Sequence, residues 1–331
     1  MKVITRLEDL APEYALPVAT VGNFDGVHLG HQSLIRDLVS RAASLGGTPV
    51  VLTFHPHPLQ VLAANNAPLQ IQTLRQRLAV IEALGIPLTV VIPFDLELAQ
   101  REARDFAHEL WERLVFREIY VGPNFAFGHR RQGSFNLLKE IGEEKGFLTG
   151  KIHQVQFRGS RVSSTAIRQA LTSGHVGLAR RLLARPYALE GRVVHGRGLG
   201  SKLRIPTANL ETPNELIPRR GVYVSLLELE GCRYRGVTNI GFRPTVTPGA
   251  GAALSIETHL LDFDRDIYGA PVTLEFLMRL RDERRFAGLP ELQAQIGKDV
   301  RDARRYFRRL GSGASAPAGA LHREGTSAHY A

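Results

Sequence analysis

The sequence predicts two unlike domains: an α/β domain built on a parallel sheet, then an antiparallel β-sheet or small barrel closed by a helix. Three observations predict it. The 331 residues are long for one hydrophobic core. The first half alternates continuous apolar runs with stretches at helical spacing, the pattern of parallel strands covered on both faces. Near Arg185-Pro186 the texture changes to short β-rich runs punctuated by Gly, Pro and Asn.

In the first half the predicted strands are 18–21, 50–54, 88–94 and 119–122, with helical patterns at 32–45, 74–84 and 103–115 between them. Two more helices are expected at 164–171 and 178–183. Strands then follow at 192–195, 222–230, 237–240, 254–261 and 272–277. A closing helix places Leu289, Leu292, Ile296, Val300, Ala303 and Phe307 on one face. The domains are expected at 1–184 and 185–308, with 309–331 a disordered tail rich in Gly, Ala and Ser. No internal repeat relates the halves.

Composition narrows the function classes. Hydrophobic residues are 44% and charged residues 22%, ordinary values for a globular protein. No run approaches the roughly 18 apolar residues of a membrane span. Lys2 and Arg6 precede no apolar stretch, so no signal peptide is expected. The single cysteine, Cys232, allows no internal disulfide and suits a reducing cytoplasm. The net charge of +10 admits nucleic acid, a membrane surface or small anions as partners. Arginines such as Arg75, Arg77, Arg101, Arg104, Arg180 and Arg181 are scattered, which reads as mostly solvated surface with a phosphate-handling minority. No nucleic-acid module is found. Small-molecule partners are expected, neither nucleic acid nor membrane.

The strongest local signal is Gly22-Asn23-Phe24-Asp25-Gly26-Val27-His28-Leu29-Gly30-His31, directly after the first strand of the α/β half. Glycines permit a tight turn and close backbone approach to phosphate. A helix starting here turns its free N–H groups and positive dipole end towards an anion. His28 and His31, three apart, project from one face and can stabilise charge developing at phosphorus. A bare His-x-x-His pair would be surface decoration or part of a metal site; the strand and glycines around this one argue otherwise. Ser163-Ser164-Thr165-Ala166-Ile167-Arg168 reads either as an N-cap with a solvent-facing Arg, or as a second phosphate clamp. His55 and His57 lack a nearby Cys or acidic partner that would complete a zinc site.

These segments, with Thr53-Phe54-His55-Pro56-His57-Pro58 and Val121-Gly122-Pro123-Asn124-Phe125-Ala126-Phe127-Gly128, resemble the FMN adenylyltransferase module of prokaryotic bifunctional flavin synthases. The resemblance covers about 17–183 and implies a Rossmann-like nucleotidyltransferase fold. It implies that His28 and His31 are catalytic, and that ATP and its phosphates meet Gly22, Phe24, Asp25, Gly30, Asn124, Arg161, Ser164, Thr165 and Arg168. Phe54 and Phe127 are candidate flavin contacts, although core packing accounts for either alone. Asn124 stands where that family often has Asp, keeping a hydrogen-bonding side chain without the charge.

In the second half, the glycine-rich segment running from Gly191 through Gly196, Gly198 and Gly200 to Lys202 is by itself a weak phosphate-loop cue. Pro206-Thr207-Ala208-Asn209 follows it and resembles a hallmark of riboflavin kinases. Gly221-Val222-Tyr223, Asn239-Ile240-Gly241-Phe242-Arg243-Pro244-Thr245 and Glu257-Thr258-His259-Leu260-Leu261-Asp262-Phe263 occur in that family's order. The resemblance, over about 185–307, implies a β-barrel kinase with Glu257 as general base. It implies phosphate contacts from Gly196, Gly198, Gly200 and Lys202. Thr207 and Asn209 would be Mg²⁺ ligands, hard oxygen donors of the kind that ion prefers. Ser201 and Arg204 depart from the family's usual arginine and glycine. Together the resemblances imply a kinase and nucleotidyltransferase that takes riboflavin to FMN, then FMN to FAD with release of pyrophosphate. ATP, riboflavin and FMN would be the substrates.

Overall fold

Strand β2 (Val18–Val21) is buried along its whole length, because successive residues face different cores. Ala19 and Val21 enter one apolar cluster while Val18 enters another. β3 (Pro49–His55) alternates likewise, with Val50 and Leu52 on one side and Val51 on the other. A computed structural model describes residues 1–9, 14–123, 125–151, 155–157, 159–196, 207–243 and 253–311. In it these strands belong to a parallel six-stranded sheet with β1 (Lys2–Ile4), β4 (Leu88–Pro93), β5 (Glu118–Val121) and β6 (Leu148–Lys151). The order is β1-β4-β3-β2-β5-β6. β2 therefore has β3 on one side and β5 on the other, so the connections leaving the sheet there diverge. Such a switch point opens a crevice beyond the C-terminal strand ends.

Helices α1 (Leu29–Leu45), α3 (Leu74–Ala83) and α5 (Ala103–Leu114) fall where helical spacing predicts them, and the short α2 (Pro58–Leu62) and α4 (Leu96–Gln100) lie between. α6 (Phe135–Lys145), β1 and β6 are additions to the sequence reading. After β5 the chain doubles back through a bridge between Phe127 and Gly133. Gly128 has φ +70°, and a Cβ there would lie 2.4 Å from the Ala103 backbone. The loop can dock on the start of α5 only because both Gly128 and Gly133 lack side chains; a Cβ at Gly133 would meet Phe127 at 2.7 Å. A small hairpin, β7 (Gln156–Phe157) and β8 (Ser160–Arg161), leads to α7 (Ser164–Thr172).

By compactness the chain divides into residues 1–166 and 167–331. In the second unit, α8 (Val176–Leu183) packs on a closed antiparallel barrel of order β10-β13-β12-β11-β14-β9. Its strands are β9 (Tyr187–Val194), β10 (Ala208–Glu211), β11 (Gly221–Leu229), β12 (Cys232–Arg243), β13 (Ala253–Leu260) and β14 (Pro271–Arg281). The predicted glycine-rich segment thus begins inside β9, and Thr207-Ala208-Asn209 runs into a strand that the sequence reading did not foresee. The barrel buries a ladder of hydroxyls, Ser225 to Thr238 at 2.7 Å and Thr238 to Thr258 at 2.9 Å, which hydrogen-bond to one another.

α9 (Leu289–Gly311) closes the unit, with Ala303 and Phe307 buried against Val222, Val224 and Leu226. Its expected apolar face is only partly used. Leu289 is 55% exposed, whereas Asp299 is buried and takes a bidentate hydrogen bond from Arg281 at 2.7–3.1 Å. The helix reaches Gly311, and the tail expected after it lies outside the described residues.

The docked loop gives a test. Gly128→Ala should cost about 2–4 kcal/mol, from left-handed backbone strain plus overpacking. Gly46→Ala, with φ +64° but nothing within 4 Å, should cost only about 1 kcal/mol. Urea denaturation of both variants measures the contrast, and equal costs would refute the docking account.

Candidate active sites

The first site is built on the loop between β2 and α1. His28 is the N-cap of α1, and its Nδ1 accepts the His31 backbone N–H at 3.3 Å. That bond makes Nε2 the protonated nitrogen of a neutral His28. The His28 and His31 rings stack with centroids 3.7 Å apart and planes 11° apart. Gly30 allows this, since a Cβ would touch His28 Cε1 at 3.2 Å. Phe24 meets His31 edge-on at 5.1 Å and is otherwise fully buried, so its side chain backs the imidazole. A Cβ on Gly22 would press on the Phe24 ring at 3.3 Å. Burial, then His28, then Arg77 hold the His31 pKa well below its ordinary 6.5. Its Nδ1 is buried and has no hydrogen-bond partner among the described residues.

Phe24, Gly26 and Val27 all have positive φ, at 48°, 84° and 35°. Such a turn persists only where its surroundings over-determine it. Here Asp25 does so. Its buried carboxylate accepts the backbone N–H groups of Ile71, at 3.0 and 3.2 Å, and of Gln72, at 3.4 Å. Its carbonyl accepts the Ser164 hydroxyl at 2.8 Å. The Asp25 side chain is therefore committed to the protein's own backbone, and Ser164 fixes the loop from the start of α7. Ser163 caps that helix through the Ala166 N–H, Thr165 is exposed, and Arg168 lies one turn on in the second compact unit. Arg161 is exposed on β8, in the hairpin whose Val155 would lie 3.9 Å from a Cβ at Gly30.

Arg77 departs from the solvated-surface reading of the arginines. It is only 1% exposed and donates to Thr53 Oγ1 at 3.2 Å and to the Phe54 carbonyl at 3.1 Å. Thr53 in turn donates to the Asn23 carbonyl at 3.2 Å. A signal existed in the sequence: Leu74, Arg77 and Ile81 repeat at helical spacing, putting Arg77 on the face that carries buried Ile81. His57 caps α2 and lies 3.1 Å from the Asn23 amide. Phe127 sits in the apolar core beside Phe106 and Phe125, and half-buried Phe54 packs on the same core. Asn124 lies outside the described residues.

The second site arises from strand register. Asn209 on β10 pairs with Glu257 on β13, which pairs with Asn239 on β12, so the three side chains share one sheet face. Asn209 is buried against Gly196, where a Cβ would lie 2.2 Å from its amide nitrogen. The Glu283 carboxylate reaches this face too, since a Cβ at Gly241 would meet it at 2.0 Å and the Asn239 amide at 3.1 Å. The sequence reading quoted Asn239 within a motif but gave neither it nor Glu283 a role. Thr207 lines a neighbouring pocket of about 260 Å³ with Val193, Ala208, Thr258 and Tyr268, and the His195 ring stacks on Tyr268 at 3.7 Å. Gly198, Gly200, Ser201, Lys202 and Arg204 lie outside the described residues.

Two family models match the chain, FAD synthetase over residues 12–166 and riboflavin kinase over 183–307. Two bifunctional riboflavin kinase/FMN adenylyltransferases are 39% identical to it. The Pseudomonas fluorescens protein aligns over 92% of this chain and 97% of its own length. The Escherichia coli K12 protein aligns over 93% and 98%. A solved Streptococcus pneumoniae chain described as a macrolide-efflux protein superposes with a TM-score of 0.83, at 28% identity, over 92% of this chain and 98% of that one. Among the described residues no helix is long and apolar enough to cross a membrane. A glycine-braced imidazole pair on a parallel sheet, an Asn–Glu–Asn face on a barrel, and relatives matching both halves in one chain lead to one conclusion: the chain belongs to the family of bacterial bifunctional riboflavin kinase/FMN adenylyltransferases.

Proposed function

We propose that this enzyme's two reactions occupy the two sites separately: adenylyl transfer beside His28 and His31, and phosphoryl transfer beside Glu257. The observation that carries the first assignment is the stacked imidazole pair at the N-terminus of α1, beyond the switch point of the sheet. There an FMN phosphate oxygen attacks the α-phosphorus of ATP, forming the new P–O bond as the bond to pyrophosphate breaks. The nucleophile is already anionic, so no base is required. His28 Nε2–H, His31 and the first N–H groups of α1 donate to phosphate oxygens as charge builds. Gly22 and Gly30 keep the backbone close, Ser164 and Asp25 position the loop, and Phe24 supports His31. Asn124, Arg161, Thr165 and Arg168 are assigned to the triphosphate by resemblance.

In the barrel, the terminal ribityl hydroxyl of riboflavin attacks the γ-phosphorus and ADP leaves. Glu257 accepts the hydroxyl proton, a general-base role that needs a carboxylate within hydrogen-bond reach. The residue types at 207 and 209, a hydroxyl and an amide, suit Mg²⁺, which prefers hard oxygen donors. By resemblance, Asn209 and Thr207 would hold the ion through an amide and a hydroxyl oxygen; Asn209 itself is packed on Gly196, where a Cβ would meet its amide nitrogen at 2.2 Å. When bound, that ion supplies charge neutralisation on the phosphates. Gly196, Gly198, Gly200 and Lys202 are assigned to phosphate by resemblance. A cytoplasmic location is supported by the lone, half-buried Cys232.

Three outcomes test these assignments by chromatographic separation of riboflavin, FMN and FAD. His28→Ala and His31→Ala should each lower FAD formation by roughly two orders of magnitude, with FMN formation from riboflavin nearly unchanged. Equal loss of both reactions would make the histidines structural. Glu257→Gln should abolish FMN formation while added FMN is still converted to FAD, and a fully active variant would sink the base assignment. Finally, residues 1–184 should adenylylate FMN and residues 185–308 should phosphorylate riboflavin. α8 and all of α7 after Ala166 fall in the second compact unit, and α8 packs on β14 and β9, so the second fragment also tests whether the barrel needs them. Two folded but inactive fragments would refute separable domains.

A further inference from the structure

We propose that Arg77 is a positioning residue for adenylyl transfer, a buried cation that ties the end of β3 to the loop after β2 and so holds the turn that carries the stacked imidazoles. The proposal rests on the assignment of that imidazole pair to adenylyl transfer.

The geometry carries it first. Arg77 is among the largest fully buried side chains of the protein. One of its terminal nitrogens donates both to Thr53 Oγ1, at 3.2 Å, and to the Phe54 carbonyl, at 3.1 Å. Thr53 passes the connection on to the Asn23 carbonyl at 3.2 Å. Asn23 is followed directly by Phe24 and Asp25, the residues that back His31 and anchor the loop. α3, the C-terminal end of β3 and the histidine loop are therefore joined by a continuous run of hydrogen bonds starting at one guanidinium.

Stability does not account for a charge at this position. Taking an arginine out of water is costly, and a well-packed apolar side chain of similar volume is often as stable or more so. Arg77 Nε is, moreover, buried with no hydrogen-bond partner among the described residues, a further penalty that a purely structural residue would shed. What a hydrocarbon cannot supply is a permanent charge. Burial lowers the guanidinium pKa while Asp25 raises it, and an arginine remains protonated throughout the working range. Among the described residues, the titratable and charged groups acting on His31 are His28, from its own loop, and Arg77, from α3; Asp25 acts on Arg77 in turn.

The consequence concerns protonation. Rings stacked 3.7 Å apart do not both accept a proton readily, and a nearby fixed cation opposes the first proton as well. His31 thus remains a neutral donor whose charge changes only well below neutrality. Removing the cation should raise the pKa of His31, so its protonation should begin at higher pH.

The experiment compares Arg77→Met and Arg77→Lys with the unaltered full-length enzyme. Three quantities are read: the pH dependence of kcat/KM for FAD formation from FMN, histidine side-chain titration by NMR, and riboflavin phosphorylation in the same samples. In Arg77→Met the acid limb of the profile and the His31 titration should move up together, since a cation that opposes protonation has been removed. kcat should fall by up to roughly a hundredfold from misplacement of the loop, with KM changing much less. Arg77→Lys keeps the charge without the planar fork, so it should restore the limb and the titration while recovering only part of kcat. If Arg77→Met does not fold, Arg77→Lys decides alone: a normal limb with lowered kcat supports the proposal, and a wild-type kcat overturns it. An unshifted limb in a folded Arg77→Met enzyme also overturns it. His31→Ala retaining full FAD formation would instead remove the assignment on which the proposal rests.

Discussion

Asp25 is held at both ends, its carboxylate by the amides of Ile71 and Gln72 and its carbonyl by the hydroxyl of Ser164. Those ties join the loop after β2 to two segments remote in sequence. They explain why the loop can keep three residues at positive φ, two of them carrying full side chains. A strained turn unsupported on its flanks would relax and carry His28 away from the N-cap of α1. With the turn fixed, His28 must accept the His31 amide, and Gly30 leaves room for its ring. On the proposed assignment, this carboxylate is turned to the protein's own amides while the helix N-terminus offers its N–H groups to the incoming phosphate.

The barrel fixes its side chains by another principle. Ladder register alone places Asn209, Glu257 and Asn239 side by side, with no loop having to be trapped in a strained state. The opposite face of β12 and β13, continued onto β11, carries the Ser225–Thr238–Thr258 hydroxyl ladder. A one-residue slip of β13 would exchange the two sets, putting a carboxylate into the barrel interior and a threonine on the site face. Register in this barrel is therefore defended twice over, by the desolvation cost of Glu257 and by the paired hydroxyls inside.

Much of this was legible in the sequence because it is local. The strand before Gly22, the glycines, and histidines three apart lie within one short stretch, and the helix they open follows at once. The main strands of both halves could be read from apolar runs. β1 and β6 could not: Lys2–Ile4 buries only Ile4, and Leu148–Lys151 contains a glycine and no buried residue. Packing beside β4 and β5, not their own composition, makes them strands. Asp25 looked like part of a phosphate loop, because no local pattern announces a carboxylate that binds amides 46 residues away. Arg77 was taken with the other scattered arginines, yet its place on the buried face of α3 was visible in the spacing to Ile81. Asn239 joined the candidate site only when the register was known, and Glu283, beyond the end of β14, only through its approach to Gly241.

On the proposed assignment, the two sites differ as their nucleophiles differ. Riboflavin offers a neutral hydroxyl, whose proton must go somewhere as the P–O bond forms, and a carboxylate on a rigid strand is a suitable acceptor. FMN offers a phosphate that is already anionic, so a base would gain nothing and a carboxylate would repel it. Adenylyl transfer instead calls for donors that stabilise negative charge without themselves losing a proton. A pair of imidazoles meets that need better than one, because each ring limits protonation of the other and both remain hydrogen-bond donors. A fixed guanidinium nearby extends the same logic, since it adds positive potential that no change of pH in the working range removes. The contrast between a carboxylate on a barrel strand and imidazoles at a helix N-terminus therefore follows from the charge of the attacking oxygen.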